Sequence, residues 1–303
     1  MLKLYDLGVA WEWEYDVDFV EMIERRSRDR NLTVYFITPE NFEDAYNKIK
    51  RGELSFLVYF DRAFDVDDDF LELNLLLEKS GVRMINRYEY MLKASDKATM
   101  HLELLSSGVH LPYTLIIQPY DENPSVEIDE NSLEVIGRPF IIKPSSETGG
   151  GMGVKIGNSI EDIIEARKEF PHDKYLVQEI IHPATLGDRK GWFRIFYILG
   201  EVLMCWWDND LKVYQEVEED EIERYELGEI EDLMGKIYSI CKLDFFSSEI
   251  AITYRDGERK FVPVDYVNEM CDMRLKSKAF DGVPDEVVFK VADRIAEFVA
   301  SLK

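Results

Sequence analysis

Residues 139–154 read PFIIKPSSETGGGMGV. An apolar strand, Phe140 to Ile142, leads into Lys143, and a glycine run follows at Gly149, Gly150, Gly151 and Gly153, broken only by Met152. Glycines let a backbone turn its N–H groups toward an anion with no Cβ in the way. A lysine in an otherwise apolar strand must reach water or a partner, because an unpaired buried ammonium is costly. Lys143 therefore directs a positive charge toward whatever anion the loop holds. The segment reads strand, glycine loop, strand. No GxGxxG opens a helix and no GxxxxGK[ST] is present, so a Rossmann fingerprint and a P-loop are both excluded.

Upstream, the first ninety residues alternate strand and helix patterns. A short apolar segment at 2–9 precedes VDFVEMIERRSRDR, where Val17, Val20 and Ile23 recur at helical spacing. LTVYFITPE reads as a strand stopped by Pro39, and Asn41 to Lys50 as a helix with Asn41 as N-cap. LSFLVYFDR is a further strand, LELNLLLEKSG a helix ended by Gly81, and VRMIN the last strand. This rhythm predicts a small parallel sheet with helices on both faces.

From residue 91 the character changes. KASDKATMHLELLSSG (93–108) reads as a helix, and LPYTLII as a strand entered through Pro112. Beyond the glycine loop come a helix capped by Ser159, the strand KYLVQEII, and two strands joined at Leu199-Gly200-Glu201. Residues 216–232 are dense in acids and read as a solvated loop and helix face. A stripe of Ile230, Leu233, Met234 and Ile237 marks a helix, and FFSSEIAITYRDGERKFVPVDYVN a hairpin turned at Asp256-Gly257. A final helix starts near Pro284.

Composition narrows the class. The chain has 303 residues, room for about two domains of ordinary size. At 46% hydrophobic and 13% aromatic it is globular rather than disordered. A formal net charge of −25 disfavours nucleic acid and anionic membranes as partners. Cys205, Cys241 and Cys271 lie far apart with no CxxC pair, which argues against a zinc ribbon or dithiol centre and fits a reducing compartment. The first residues carry acids where a signal peptide carries a cationic end, and no 18-residue apolar stretch occurs. The expectation is a cytoplasmic protein.

Further candidates lie outside the glycine segment. Lys97 follows Asp96 at a helix start, and Gln178, Glu179, Ile180 and Ile181 end a strand at mid-chain. Glu249, Asp265 and Asn268 sit on the two arms of the 249–268 hairpin. Carboxylate and amide oxygens suit Mg²⁺, a hard cation that keeps waters and phosphates in its shell. Buried acids among Val and Phe are rare unless paired or metal-bound.

In order and spacing, these segments resemble the ATP-grasp superfamily, of the glutathione synthetase and RimK type. The match runs over roughly residues 86–275, through Asn86, the SDK ending at Lys97, PFIIKPSSETGGGMGV, LVQEII, Asp188 to Arg194, and Glu249 to Asn268. The resemblance implies an α/β fold: a parallel α/β domain (1–90), then a two-lobed α+β domain, with a small lobe (91–180) and a C-terminal lobe carrying the metal site (181–303). Lys97 and Lys143 would contact ATP, and the loop of Ser145, Ser146, Gly149, Gly150, Gly151, Met152 and Gly153 would close over its phosphates. Gln178, Glu179, Ile180 and Ile181 would line adenine, with backbone groups of Glu179 and Ile181 pairing with its edge. Asp188 would meet the ribose.

Arg194 would face the γ-phosphate or an acyl phosphate. Glu249, Asp265 and Asn268 would hold Mg²⁺, with Mn²⁺ as an alternative. The usual ending has one spacer between acid and Asn; here two residues separate Asp265 from Asn268. A β-bulge would restore a common face. Otherwise Glu269 replaces one of them.

The implied activity is an ATP-dependent ligase, joining a small-molecule carboxylate to an amine, thiol or peptide through an acyl phosphate. Arg274 could hold a substrate carboxylate or the acyl phosphate. Asp61 and Arg62, at a strand's carboxyl end, could reach the acceptor, with Trp11, Trp13 and Tyr15 lining the same cleft. Two other classes stay open: a small-molecule kinase of the same superfamily, and a nucleotide-binding protein without turnover. Homodimers are common in such families.

Overall fold

The computed structural model describes residues 2–65, 68–146 and 151–303. Its first layer is a parallel sheet of β1 (Lys3–Trp11), β2 (Val34–Ile37), β3 (Leu54–Arg62) and β4 (Arg83–Ile85), in the order β2-β1-β3-β4. Parallel neighbours need crossover connections. These are α1 (Val17–Asp29), α2 (Phe42–Lys50) and α3 (Asp68–Lys79). Phe19, Val20 and Ile23 of α1 pack with Leu7, Val9, Val58 and Phe60. Ala45 and Ile49 of α2 and Phe70, Leu73 and Leu77 of α3 pack with Tyr59 on the other face. Gly8 of β1 lies under the Phe56 ring, where an added Cβ would come within 2.7 Å of ring atoms. Asn41 precedes α2, but its side chain faces backward, accepting from the Thr38 amide and donating to the Phe36 carbonyl.

The expected helix over 93–108 is two helices, α4 (Tyr88–Ser95) and α5 (Lys97–Ser106). Asp96 breaks the run. Its backbone is extended, and its carboxylate accepts from the Ala98 and Thr99 amides. A carboxylate at an N-cap outcompetes helix continuation at this position.

A small antiparallel sheet follows, of β5 (Thr114–Ile117), β6 (Phe140–Pro144), β7 (Lys155–Gly157) and β8 (Tyr175–Glu179), in the order β5-β8-β6-β7. Helices α6 (Glu130–Ile136) and α7 (Ile160–Arg167) accompany it, and Phe140, Ile142, Leu133, Ile163 and Val177 share a core. Ser159 caps α7 in a reciprocal box with Asp162.

After a short hairpin, β9 (Thr185–Leu186) and β10 (Arg189–Lys190), comes a larger antiparallel sheet. Its strands β11 (Trp192–Ile198), β12 (Glu201–Asp208), β13 (Val213–Glu216), β14 (Phe245–Arg255) and β15 (Glu258–Asn268) lie in the order β13-β12-β11-β14-β15. The turns fall where expected, with positive φ at Leu199, Gly200, Asp256 and Gly257. The acidic segment forms α8 (Glu219–Arg224), which buries no residue, and the start of α9 (Glu229–Cys241), which buries Ile230, Leu233, Met234 and Ile237.

The last helix, α10 (Asp285–Ser301), joins the layers. Its Val287, Val291 and Ile295 share one core with Leu7 and Phe19 of the first layer and Phe196 and Phe245 of the large sheet. Asn86 adds a polar tie, since its amide group donates to the Phe245 carbonyl and accepts from the Phe245 N–H. Among the described residues no helix is long and apolar enough to cross a membrane.

Candidate active site

Two sheets face each other across the site. On the small sheet, side chains alternate along β6, so Phe140 and Ile142 enter that lobe's core while Lys143 points away from it. Its ammonium is buried, donates to the Val264 carbonyl at 3.1 Å, and lies 5.6 Å from the centre of the Tyr266 ring. Burial pushes the Lys143 pKa down; Asp265 and Glu249 oppose that, while the charge of Lys97 adds to it.

Lys97 opens α5 because Asp96 ends α4. Its amide donates to the Ser145 carbonyl at 3.0 Å, so the start of the glycine loop and the start of α5 are tied together. Burial works against the charge of Asp96. Hydrogen bonds from Lys174, Ser145 and Thr99 outweigh it and hold the carboxyl well below the usual range.

The Ser145 hydroxyl is buried, bonding Asp96 and accepting from the Ala98 amide at 2.9 Å. The Ser146 amide donates to Asp173 at 2.7 Å. Both serines are thus engaged in anchoring the loop. Gly151 and Gly153 have positive φ, and Met152 between them is 63% exposed. At Gly153 a Cβ would also come within 2.8 Å of Phe170. Gly149 and Gly150 lie outside the described residues.

At the end of β8, Gln178 is buried and donates to Thr114 and Tyr266. Glu179 pairs with Arg255, and its amide donates to the Tyr113 carbonyl at 2.9 Å. Glu179 to Ala184 and Thr253 to Arg255 line a cleft of about 410 Å³, and the Ile181 side chain is buried. Asp188 is exposed, between β9 and β10.

On the large sheet three charged groups stand in one row across neighbouring strands. Arg194 of β11 is opposite Glu249 of β14, which is opposite Asp265 of β15. Arg194 Nη2 lies 3.0 Å from Glu249 Oε1, and Nη1 lies 3.8 Å from Asp265 Oδ2. The second Glu249 oxygen accepts from the Trp192 indole at 3.1 Å. Arg194 Nε and Nη1 are buried without a hydrogen-bond partner. Such orphaned donors on a permanent cation suit a multiply charged anion.

The register explains the unusual spacing. Ser247 is opposite Asn268 and Glu249 opposite Asp265, so two steps on β14 match three on β15. This bulge brings Asp265 and Asn268 onto the face that carries Glu249. Asn268 Oδ1 accepts from the Met270 amide at 3.3 Å. Burial raises the Glu269 pKa; Lys97 opposes that shift and Asp265 adds to it.

Among the described residues no three carboxylates, histidines or thiols form a ready metal centre. Two carboxylates and an amide oxygen nevertheless fit a hard divalent cation that draws its remaining ligands from phosphate and water.

No family model matches the chain, and no curated protein matches it by sequence. Solved structures do match. A RimK-domain ATP-grasp protein from Sphaerobacter thermophilus aligns with TM-score 0.63 and 17% identity, over 96% of this chain and 99% of that one. A D-alanine–D-alanine ligase from Bacillus anthracis, complexed with ATP, aligns with TM-score 0.61 and 14% identity, over 97% and 98%. The macrocyclase MdnC from Microcystis aeruginosa, bound with the precursor peptide MdnA, aligns with TM-score 0.63 and 12% identity, over 97% and 99%. The chain has the ATP-grasp fold.

Within this ATP-grasp fold, other residues singled out in the sequence are engaged in structural contacts. Arg62 makes a bidentate pair with Asp16, at 2.6 and 2.8 Å, and donates to the Cys271 carbonyl. Asp61 accepts from the Ala63 and Phe64 amides and from Asn74. Burial pushes its pKa up to about 6 against those hydrogen bonds. Both side chains are buried and engaged by partners, so neither reaches out to an acceptor. Arg274 is clasped by Asp272 and Asp281 and lies 5.9 Å from the Trp13 ring centre. Trp13 and Tyr15 meet edge to face and are partly exposed.

Two further contributors carry little signal in the sequence. Trp192 lies two residues before Arg194, on the same face of β11, so strand alternation flags it once Arg194 is chosen. Tyr266 has no signal beyond standing between Asp265 and Asn268.

Proposed function

We propose that this ATP-grasp chain is an ATP-dependent ligase that activates a carboxylate as an acyl phosphate and transfers it to an amine, a thiol or a peptide. The observation that carries the reading is the row of Arg194, Glu249 and Asp265 facing Lys143, with two buried Arg194 nitrogens unfilled. Lys97 and Lys143 would neutralise the phosphate chain, and residues Ser145 to Gly153 would cover it. Gln178 to Ile181 would form the adenine side, with Asp188 toward the ribose. Glu249, Asp265 and Asn268 would hold Mg²⁺ or Mn²⁺. The metal's part is to neutralise phosphate charge.

A substrate carboxylate oxygen forms a bond to the γ-phosphorus as the bond to ADP breaks, and ADP leaves with the electron pair. The nucleophile then attacks the acyl carbon, phosphate leaves, and the nucleophile gives up a proton. The chain's contribution is orientation and charge, with Arg194 donating to the phosphoryl oxygens on which charge develops. Arg274 already has two carboxylate partners, so its proposed contact with substrate carboxylate or acyl phosphate requires an exchange of partners.

The similar structures include a D-alanine–D-alanine ligase and a macrocyclase bound with a precursor peptide, so small-molecule and peptide substrates both fit. The test is phosphorus NMR with Mg·ATP, with and without pooled amino acids, small carboxylic acids and acidic peptides. ADP and inorganic phosphate appearing only with the pool support the ligase. A new phosphomonoester signal would make it a kinase. Intact ATP under all pools, with tight nucleotide binding, would make it a binding protein.

A further inference from the structure

β15 departs from a regular ladder twice within six residues. Ile250 is opposite Pro263, Glu249 opposite Asp265, and Ser247 opposite Asn268, so β15 carries one extra residue at each step. A bulge leaves a residue outside the ladder and re-aims its neighbours. Proline, which has no N–H to offer a ladder, is tolerated at such a place. Val264 falls inside the first step, and its carbonyl accepts from Lys143. Tyr266 falls inside the second.

Tyr266 belongs to the large sheet, but its hydroxyl reaches groups of the opposing elements. Gln178 Nε2 of β8 donates to it at 2.9 Å, and His101 Nδ1 of α5 lies 2.7 Å away. The phenol oxygen accepts from Gln178, and its contact with His101 Nδ1 is a second hydrogen bond whose direction follows the ring tautomer. Burial, and after it the charge of Lys143, pushes the His101 pKa down to about 4, so the ring is neutral at neutral pH. Tyr266 is 1% exposed and cannot turn away without breaking both bonds. Its ring meets the Lys143 ammonium at 5.6 Å, inside the range of a cation–π contact.

We infer that Tyr266 is a positioning residue for Lys143: its ring, pinned across the cleft by Gln178 and His101, and the neighbouring Val264 carbonyl hold the ammonium where it faces the nucleotide phosphates. The inference rests on the nucleotide reading of the cleft. It also gives the two-residue spacing between Asp265 and Asn268 a purpose. The added residue admits the phenol, while the bulge keeps both oxygen ligands on one face.

The test is a double-mutant cycle read by calorimetric binding of ADP and of adenosine, using wild type, Tyr266→Leu, Lys143→Ala and the double variant. Tyr266→Leu is expected to weaken ADP about tenfold and adenosine less than threefold, as loss of a desolvated cation–π contact implies. In the Lys143→Ala background the same change should cost ADP less than threefold. An equal tenfold loss in both backgrounds would overturn the assignment and make Tyr266 a packing residue only.

If Tyr266→Leu does not fold, Tyr266→Phe decides, because it keeps the ring and removes only the pin. A loss of about threefold that vanishes in Lys143→Ala supports the role, and one that persists overturns it. Wild type that binds neither probe removes the nucleotide reading and this inference together. Wild type that binds both, with additive losses, removes the inference alone.

Discussion

Arg62 and Arg194 both stand on strands and both are largely buried, yet their surroundings differ. Arg62, at the carboxyl edge of the parallel sheet, has a bidentate carboxylate and a carbonyl. Arg194, on the large antiparallel sheet, has Glu249 on one nitrogen and Asp265 at 3.8 Å from a second; that second nitrogen and the third make no hydrogen bond. The first arrangement is closed and ties the Trp13–Asp16 turn to the segment after Asn268. The second is open, with two buried nitrogens that make no hydrogen bond. Charge type alone does not tell the two apart; the unmet donors of Arg194 do, and they motivate its proposed contact with an anion.

Replacing each arginine tests this contrast most directly. Arg62→Ala strands Asp16 as a buried unpaired charge and is expected to cost about 3–5 kcal/mol, read by urea denaturation. A loss under about 1 kcal/mol would mean that the pair is not closed off from water. Arg194→Ala is expected to lower kcat by about 10²–10³-fold, as removal of a transition-state donor does. Its urea midpoint should move far less than that of Arg62→Ala. Equal destabilisation of the two would erase the distinction.

Asp61 probes the structural side further. Its pKa, near 6 in the fold, lies above the ordinary unfolded value near 4, so between these values the folded state binds more protons. Stability from this group is present below about pH 4 and is lost as pH rises through about 6, by roughly 2–3 kcal/mol. Asp61→Asn should flatten the pH dependence of the urea midpoint in that window. An unchanged slope would show that Asp61 does not titrate there.

On the functional side, Trp192→Phe removes the indole donor from Glu249 and should weaken Mn²⁺ binding about tenfold, measured by electron paramagnetic resonance with ADP present. Undiminished affinity would detach Trp192 from the site. The smallest effect belongs to Arg274→Ala, expected to cost about 1 kcal/mol or less and to leave the ATP KM within about twofold. A raised KM for the carboxylate substrate would establish Arg274 as a substrate contact.

Much of this architecture is legible in the order of residues alone. Strand alternation and helical spacing locate the parallel sheet, the Leu199-Gly200 and Asp256-Gly257 turns and the Ser159 cap, because each is a local preference of a few residues. The helix break at Asp96 is not legible in the same way, since capping by a carboxylate competes with helix continuation and spacing alone does not rank the two. The engagement of Arg62 and Ser145, and the Asn74 bond of Asp61, leave no local trace, because the partners Asp16, Asp96 and Asn74 are 46, 49 and 13 positions away.

Local sequence is enough to set the alternation of elements, the glycine loop after Lys143 and the stock of oxygen and cationic groups that form the candidate site. These follow from short-range backbone sterics and from the cost of burying unpaired charge. Which charges are closed and which stay open emerges only when the chain is folded. So does the alignment of Asp265 with Asn268 by the bulge between them in β15, and the reach of Tyr266 to the opposing sheet. Those outcomes depend on strand register and on long-range partners, which no local pattern encodes.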